Sequence, residues 1–115
     1  MNKEYFFIAG FPRAGETLLS TILNQNSTFH SGPESPVCNL VSNAYDVLGT
    51  NEQQLLYPKV DCFKYIAKGI ADGYYSDVKE KYIFDKCRVW NSIFNINHIL
   101  GSINQNIKVI CCVRS

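Results

Sequence analysis

FFIAGFPRAGETLL, from Phe6 to Leu19, is the stretch that decides the fold. The apolar run Tyr5–Ala9 predicts a strand, residues 10–15 predict a loop containing two glycines and a proline, and a helix is expected over 15–26. A strand that turns through glycines into a helix leaves backbone N–H groups free at the helix N-terminus. A concave group of backbone N–H groups of this kind binds anions, phosphate above all. The stretch therefore predicts an anion-binding loop in an α/β domain.

One position separates this loop from a nucleotide phosphate loop. Gly10 and Gly15 have the spacing of G-x-x-x-x-G-K-[ST], but Glu16 stands where the lysine would be and Thr17 follows it. Two like charges ~4 Å apart repel by ~1 kcal/mol in water and ~4 kcal/mol at an effective dielectric of ~20. A Glu16 carboxylate inside the loop would therefore weaken anion binding roughly ten- to a thousandfold. A carboxylate facing solvent would instead favour the helix dipole, and the sequence leaves both orientations open.

Composition limits the class of protein. The chain has 115 residues, 46% of them hydrophobic, which predicts a single domain over 1–115. The net charge of +1 implies neither a nucleic-acid nor a membrane partner. With no signal peptide and no apolar run long enough to span a bilayer, a cytoplasmic location is expected. The five cysteines lack a CxxC spacing, so we expect neither a metal site nor disulfides.

The rest of the chain predicts alternating helices and strands. Apolar periodicity predicts helices over 37–48, 61–71 and 90–103, and strands over 81–86 and 107–113, with loops over 28–36 and 73–77. Leu18, Leu19, Ile22 and Leu23 would pack the first helix on the sheet. Right-handed crossovers would make three strands parallel, and we expect the third beside the first. The predicted fold class is a three-layer α/β fold with a parallel sheet and flanking helices.

Gly10-Phe11-Pro12-Arg13-Ala14-Gly15-Glu16-Thr17-Leu18-Leu19 resembles the phosphosulfate loop of sulfotransferases, commonly G-x-P-[RK]-S-G-[ST]-[ST]-L-L. That family lacks the lysine of phosphate loops and has a basic residue where Arg13 stands. Ala14 and Glu16 depart from the pattern. The resemblance implies 3′-phosphoadenosine 5′-phosphosulfate as sulfuryl donor, without a metal. The implied donor-binding residues in this loop are Arg13, Ala14, Gly15, Glu16, Thr17 and Leu18.

The resemblance also implies roles for polar residues near the ends of strands. Glu34 occupies the place of the general base, Lys86 that of a lysine contacting the sulfuryl group, and Arg114 that of a ligand of the donor's 3′-phosphate. Arg13 and Lys86 would stabilise the sulfuryl oxygens. His30 is a rival base because an imidazole nitrogen can accept a proton, but it matches no family position. Solvated surface positions remain the alternative for Glu34 and Lys86.

The resemblance thus implies a phosphate-loop-like sulfotransferase fold acting on a hydroxyl-bearing acceptor. It covers only the N-terminal part of the family's domain, ending after the third core strand, so we expect a fragment of doubtful activity. A non-catalytic module is one alternative, with self-association or a partner chain at the open sheet. A kinase or NTPase is the other, with Asp85 as the candidate Mg²⁺ ligand; Glu16 at the lysine position counts against it.

Overall fold

A computed structural model of the chain describes residues 3–10, 16–52, 56, 62–87, 90, 103 and 109–112, with the backbone alone for 16, 17, 111 and 112. The helices and strands are β1 (Glu4–Gly10), α1 (Glu16–Leu23), β2 (Phe29–Glu34), α2 (Val37–Thr50), α3 (Phe63–Tyr74), β3 (Tyr82–Lys86) and β4 (Val109–Cys112). Four predicted site residues lie outside the described residues: Arg13, Ala14, Gly15 and Arg114. The interior of the predicted helix over 90–103 does so too.

The four strands form one parallel sheet in the order β2-β3-β1-β4. β1 pairs with β3 on one side, where Tyr5 is the partner of Ile83, and with β4 on the other, where Ile8 is the partner of Ile110. The predicted parallel α/β sheet is confirmed, as is the placement of the last strand beside the first.

The loop predicted over 28–36 is wrong, because Phe29–Glu34 forms strand β2 and gives the sheet four strands instead of three. β2 lies at an edge of the described sheet and pairs only with β3, in a register that shifts between Ser31 and Glu34. Pro33 is tolerated there because an edge strand hydrogen-bonds on one side only. On the open side, the Asn24 side chain accepts from the Ser31 backbone N–H at 2.8 Å and donates to the Ser31 carbonyl.

Helices cover both faces of the sheet. Tyr5, Phe7 and Ile83 point to the face covered by α2 and α3 and are at most 1% exposed. Burial of such a side chain contributes about 1.5–3 kcal/mol, so this layer holds much of the core. On the opposite face Phe6 and Phe84 stack with ring centroids 4.9 Å apart. The main core cluster also contains Val37, Cys38, Val41, Ala67, Ala71, Tyr75, Cys87, Trp90 and Ile103.

The helix α1 packs on the second face, but not as predicted. Leu18 and Ile22 are 66% and 52% exposed, so half of the expected apolar face points away from the sheet. Ser20 is buried instead, and the Ser31 hydroxyl donates to the Ser20 hydroxyl oxygen at 2.9 Å. This contact and the Asn24 bonds to β2 set the rotation of α1 about its axis.

Candidate functional site

The strands end together along the carboxyl edge of the sheet. β1 ends at Gly10, whose φ of 150° lies in a region that glycine adopts without a steric penalty. The helix α1 begins at Glu16. A strand and a helix are therefore joined at this edge by residues 11–15, as the motif predicts, although that loop lies outside the described residues.

The strand order creates a topological switch point beside β1. The connection from β1 leads to β2 on one side of the sheet, whereas the connection from β3 leads to β4 on the other. The carboxyl ends of β1 and β3 thus begin connections that run in opposite directions. In open α/β sheets, ligands bind in the crevice outside such a pair of strand ends.

Glu34 and Lys86 are brought together at the carboxyl edge of the sheet, Lys86 at the end of β3 and Glu34 one strand farther out. They are register partners at the ends of β2 and β3, and Lys86 is also the partner of Ile8 in β1. Two backbone bonds of 3.0 Å continue the pairing: the Ser35 N–H donates to the Lys86 carbonyl, and the Cys87 N–H donates to the Ile8 carbonyl. Glu34 is exposed and Lys86 is half-buried. The Glu34 carboxylate and the Lys86 ammonium therefore extend from neighbouring backbone positions at the carboxyl edge of the sheet, where β1 also ends.

A buried carboxylate lies beneath this edge. Asp85 is 1% exposed and points to the face covered by α2 and α3. Its Oδ2 accepts hydrogen bonds from the Tyr75 hydroxyl at 2.5 Å and from the Ser35 hydroxyl, while its Oδ1 accepts from the Trp90 indole N–H at 2.7 Å. Because Ser35 follows Glu34 and Asp85 precedes Lys86, this network fixes the ends of β2 and β3 relative to each other.

The network shifts the acidity of its members. Burial raises the pKa of the Asp85 carboxyl above its ordinary value of 3.8, and the nearby Glu34 charge raises it further. The hydrogen bonds from Ser35, Tyr75 and Trp90 act in the opposite direction but do not cancel the effect of burial. Burial, followed by the neighbouring Asp85 charge, also raises the pKa of the Tyr75 phenol.

The other predicted site residues that the structure describes lie in the first turn of α1 and in the middle of β2. Glu16 and Thr17 form the start of α1, and Leu18 in its first turn is exposed. His30 is the partner of Ile83 in the middle of β2, and its ring packs edge-on against Tyr75 with centroids 5.8 Å apart. The rival base therefore lies away from the carboxyl edge where Glu34 and Lys86 meet.

Sequence reasoning missed the role of Asp85 and its partner Ser35. Side chains alternate between the two faces along β3, so Ile83 and Asp85 share the core face whereas Phe84 and Lys86 share the other. From the sequence alone, that alternation indicates that the Asp85 side chain points into the core. The three donors come from separate elements, and their convergence depends on the tertiary fold.

Among the described residues, no helix is long and apolar enough to cross a membrane. No group of three or more histidine, cysteine, aspartate or glutamate side chains in the same residues is arranged to hold a metal ion.

Comparison with known proteins provides no family assignment. No protein-family model matches the chain, and no curated protein matches it at a significant level. The resemblance to sulfotransferases therefore depends on the motif at Gly10–Leu19 and on the strand-end residues alone.

Proposed function

We propose that this chain is a sulfotransferase-type domain that transfers a sulfuryl group from 3′-phosphoadenosine 5′-phosphosulfate to a hydroxyl acceptor. The observation that carries the proposal is the register pairing of Glu34 with Lys86 at the edge of the sheet where β1 ends at Gly10. A base and a positive charge at an anion-binding loop are what such a transfer requires. The four-stranded parallel sheet is compatible with the phosphate-loop-like fold that the motif implies.

The start of α1 supports binding of the donor's 5′ phosphosulfate. The first backbone N–H groups of a helix have no partner within the helix, and the helix dipole adds partial positive charge there. In the proposed site, the 5′ end of the donor binds the backbone N–H groups of Arg13 to Thr17 and the Thr17 hydroxyl, and the Arg13 guanidinium adds a positive charge. Arg114 follows β4, the neighbour of β1, and a guanidinium fork there suits the donor's 3′-phosphate.

The bound donor supplies the activated sulfuryl group. Glu34 accepts the proton of the incoming hydroxyl as a general base. Lys86 and Arg13 neutralise negative charge on the sulfuryl and bridging oxygens. By analogy with phosphoryl transfer through a loose transition state, the domain acts mainly by positioning the reactants and compensating charge.

The placement of Asp85 disfavours the kinase or NTPase alternative. In phosphate-loop NTPases, a carboxylate at a strand end helps to hold Mg²⁺. Here both oxygens of Asp85 accept hydrogen bonds inside the core, from Ser35, Tyr75 and Trp90. Such a carboxylate does not face a nucleotide at the sheet edge, and Glu16 replaces the lysine that would neutralise the β- and γ-phosphates.

Calorimetric titration with 3′-phosphoadenosine 5′-phosphate tests the proposal, with ATP and Mg²⁺ as the comparison ligand. We expect saturable 1:1 binding of the first and none of the second. Binding of ATP–Mg²⁺ alone would revive the NTPase alternative. Binding of neither ligand would refute donor recognition by this chain.

Two substitutions that each remove one positive charge show where the nucleotide binds. Arg13→Ala should weaken binding at least tenfold, since a hydrogen bond to a charged group contributes about 1.5–3 kcal/mol. Lys79→Ala removes the same charge from an exposed position before β3, at the opposite edge of the sheet. It should leave the affinity unchanged. If Arg13→Ala leaves the affinity unchanged, the assignment of the loop is wrong.

A further inference from the structure

A second feature of the fold is a cavity of about 350 Å³ between β2 and the C-terminal end of α3. Its size falls within the range of small-molecule sites, about 300–1,000 Å³. The lining residues come from the edge strand and its end (His30, Gly32, Pro33 and Ser35) and from the end of α3 and the turn after it (Tyr74, Tyr75, Asp77 and Val78). The proposed nucleotide site does not use it.

The cavity has an aromatic wall. The Tyr74 and Tyr75 rings are nearly perpendicular, with centroids 4.9 Å apart, and His30 packs edge-on against Tyr75. Tyr75 is buried, whereas Tyr74 is 44% exposed. The Tyr74 ring is therefore the aromatic surface most open to a ligand.

Some of the polar groups that line the cavity already form hydrogen bonds within the protein, and others can bind a ligand. The Tyr75 and Ser35 hydroxyls both donate to Asp85. Within the described part of the chain, no hydrogen bond or ion pair engages the Asp77 carboxylate or the Tyr74 hydroxyl, and Asp77 is exposed. An available carboxylate and an accessible aromatic residue therefore line the same cavity.

The charge of the lining favours a cation. It contains an aspartate but no lysine or arginine, and the buried Asp85 carboxyl lies directly behind Ser35 and Tyr75. The Lys3 ammonium donates to the carbonyls of Val78 and Glu80 and is not part of the lining. Aromatic faces and carboxylates together recognise organic ammonium groups.

We propose that this cavity binds a small organic cation, a protonated amine carried on a flat apolar group. The ammonium pairs with the Asp77 carboxylate, and the apolar group packs against Tyr74. This site is separate from the proposed donor site: the cavity lies on the side of β2 that faces α3, whereas α1 packs on the opposite face.

Phenethylamine and 3-phenylpropanoate test the proposal, because they have similar size and shape but opposite charge. Each is titrated into the chain without nucleotide, by calorimetry and by amide chemical-shift mapping. We expect saturable binding of phenethylamine with shifts at Tyr74 and Asp77, and binding of 3-phenylpropanoate at least tenfold weaker. Equal affinity for both ligands, no binding of phenethylamine, or shifts elsewhere would overturn the proposal.

Variants identify the groups responsible. Asp77→Asn should weaken phenethylamine binding about fivefold, the scale of an exposed ion pair. Tyr74→Ala should weaken it about two- to tenfold, the scale of a contact between two aromatic rings. Asp46→Asn, an equal charge change on the exposed side of α2, should leave binding unchanged. Unchanged affinity in Asp77→Asn would refute the ion pair. The titrations contain no nucleotide, so their outcome is independent of donor binding.

Discussion

Asp85→Ala is expected to destabilise the domain by about 3–5 kcal/mol. The substitution removes an acceptor that is 1% exposed and that receives hydrogen bonds from Ser35, Tyr75 and Trp90. A buried donor without a partner costs about 1–3 kcal/mol. The Ser35 and Tyr75 hydroxyls can rotate towards each other, but the Trp90 indole N–H cannot, so the total falls below three full penalties. It is a large part of the roughly 5–15 kcal/mol that stabilises a typical domain.

Urea unfolding followed by fluorescence measures this loss directly, because Trp90 is the only tryptophan of the chain and its ring is fully buried. Asp85→Asn keeps a carbonyl for the indole N–H and should lose only about 1–2 kcal/mol. Asp46→Ala removes an exposed aspartate and should change stability by less than about 0.5 kcal/mol. A loss below about 1 kcal/mol for Asp85→Ala would show that the buried network does not hold the strand ends together.

The remaining predictions concern acidity, the loop and the core. Because the pKa of Asp85 is raised in the folded state, its carboxyl makes its full contribution to the unfolding free energy below the unfolded-state pKa of 3.8. That contribution is lost as the pH rises through the folded-state pKa. The unfolding free energy of the wild type minus that of Asp85→Asn should therefore fall as the pH rises above 3.8; a rise would mean that the hydrogen bonds outweigh burial. Glu16→Thr should strengthen binding of 3′-phosphoadenosine 5′-phosphate about tenfold in calorimetry, and unchanged affinity would mean that the carboxylate faces away from the loop. Phe7→Ala should cost about 3–5 kcal/mol in urea unfolding, since the Phe7 ring is 1% exposed and packs on Trp90 with centroids 4.8 Å apart; a cost below about 1 kcal/mol would contradict the packing.

Apolar runs were enough to predict the central strands. The runs around Phe7 and Ile83 predicted β1 and β3, which are each paired on both sides and largely buried, and the run around Ile110 predicted β4, which pairs with β1 alone in the described sheet. The edge strand β2 has no such run. Its sequence FHSGPE combines one large apolar residue with Gly32 and Pro33, which are typical of loops, and it is a strand because β3 and Asn24 satisfy its backbone.

The candidate site was predictable only in part. The positions of Glu34 and Lys86 near strand ends can be read from the chain, but their register requires β2 to be a strand. The rotation of α1 was not predictable from hydrophobicity, because Ser20 takes the buried position through its bond to Ser31. Apolar periodicity assigns faces by side-chain polarity and does not detect a paired polar contact in the core.

Amide chemical-shift mapping during titration with 3′-phosphoadenosine 5′-phosphate tests the central claim most directly, because it reports where on the fold the nucleotide binds. We expect saturable shifts along the carboxyl edge, at Gly10, Glu16 and Lys86, with little change at Tyr74 and Asp77. Saturable shifts confined to Tyr74 and Asp77, or no saturable shifts at all, would contradict the assignment of the carboxyl edge as a sulfonucleotide site.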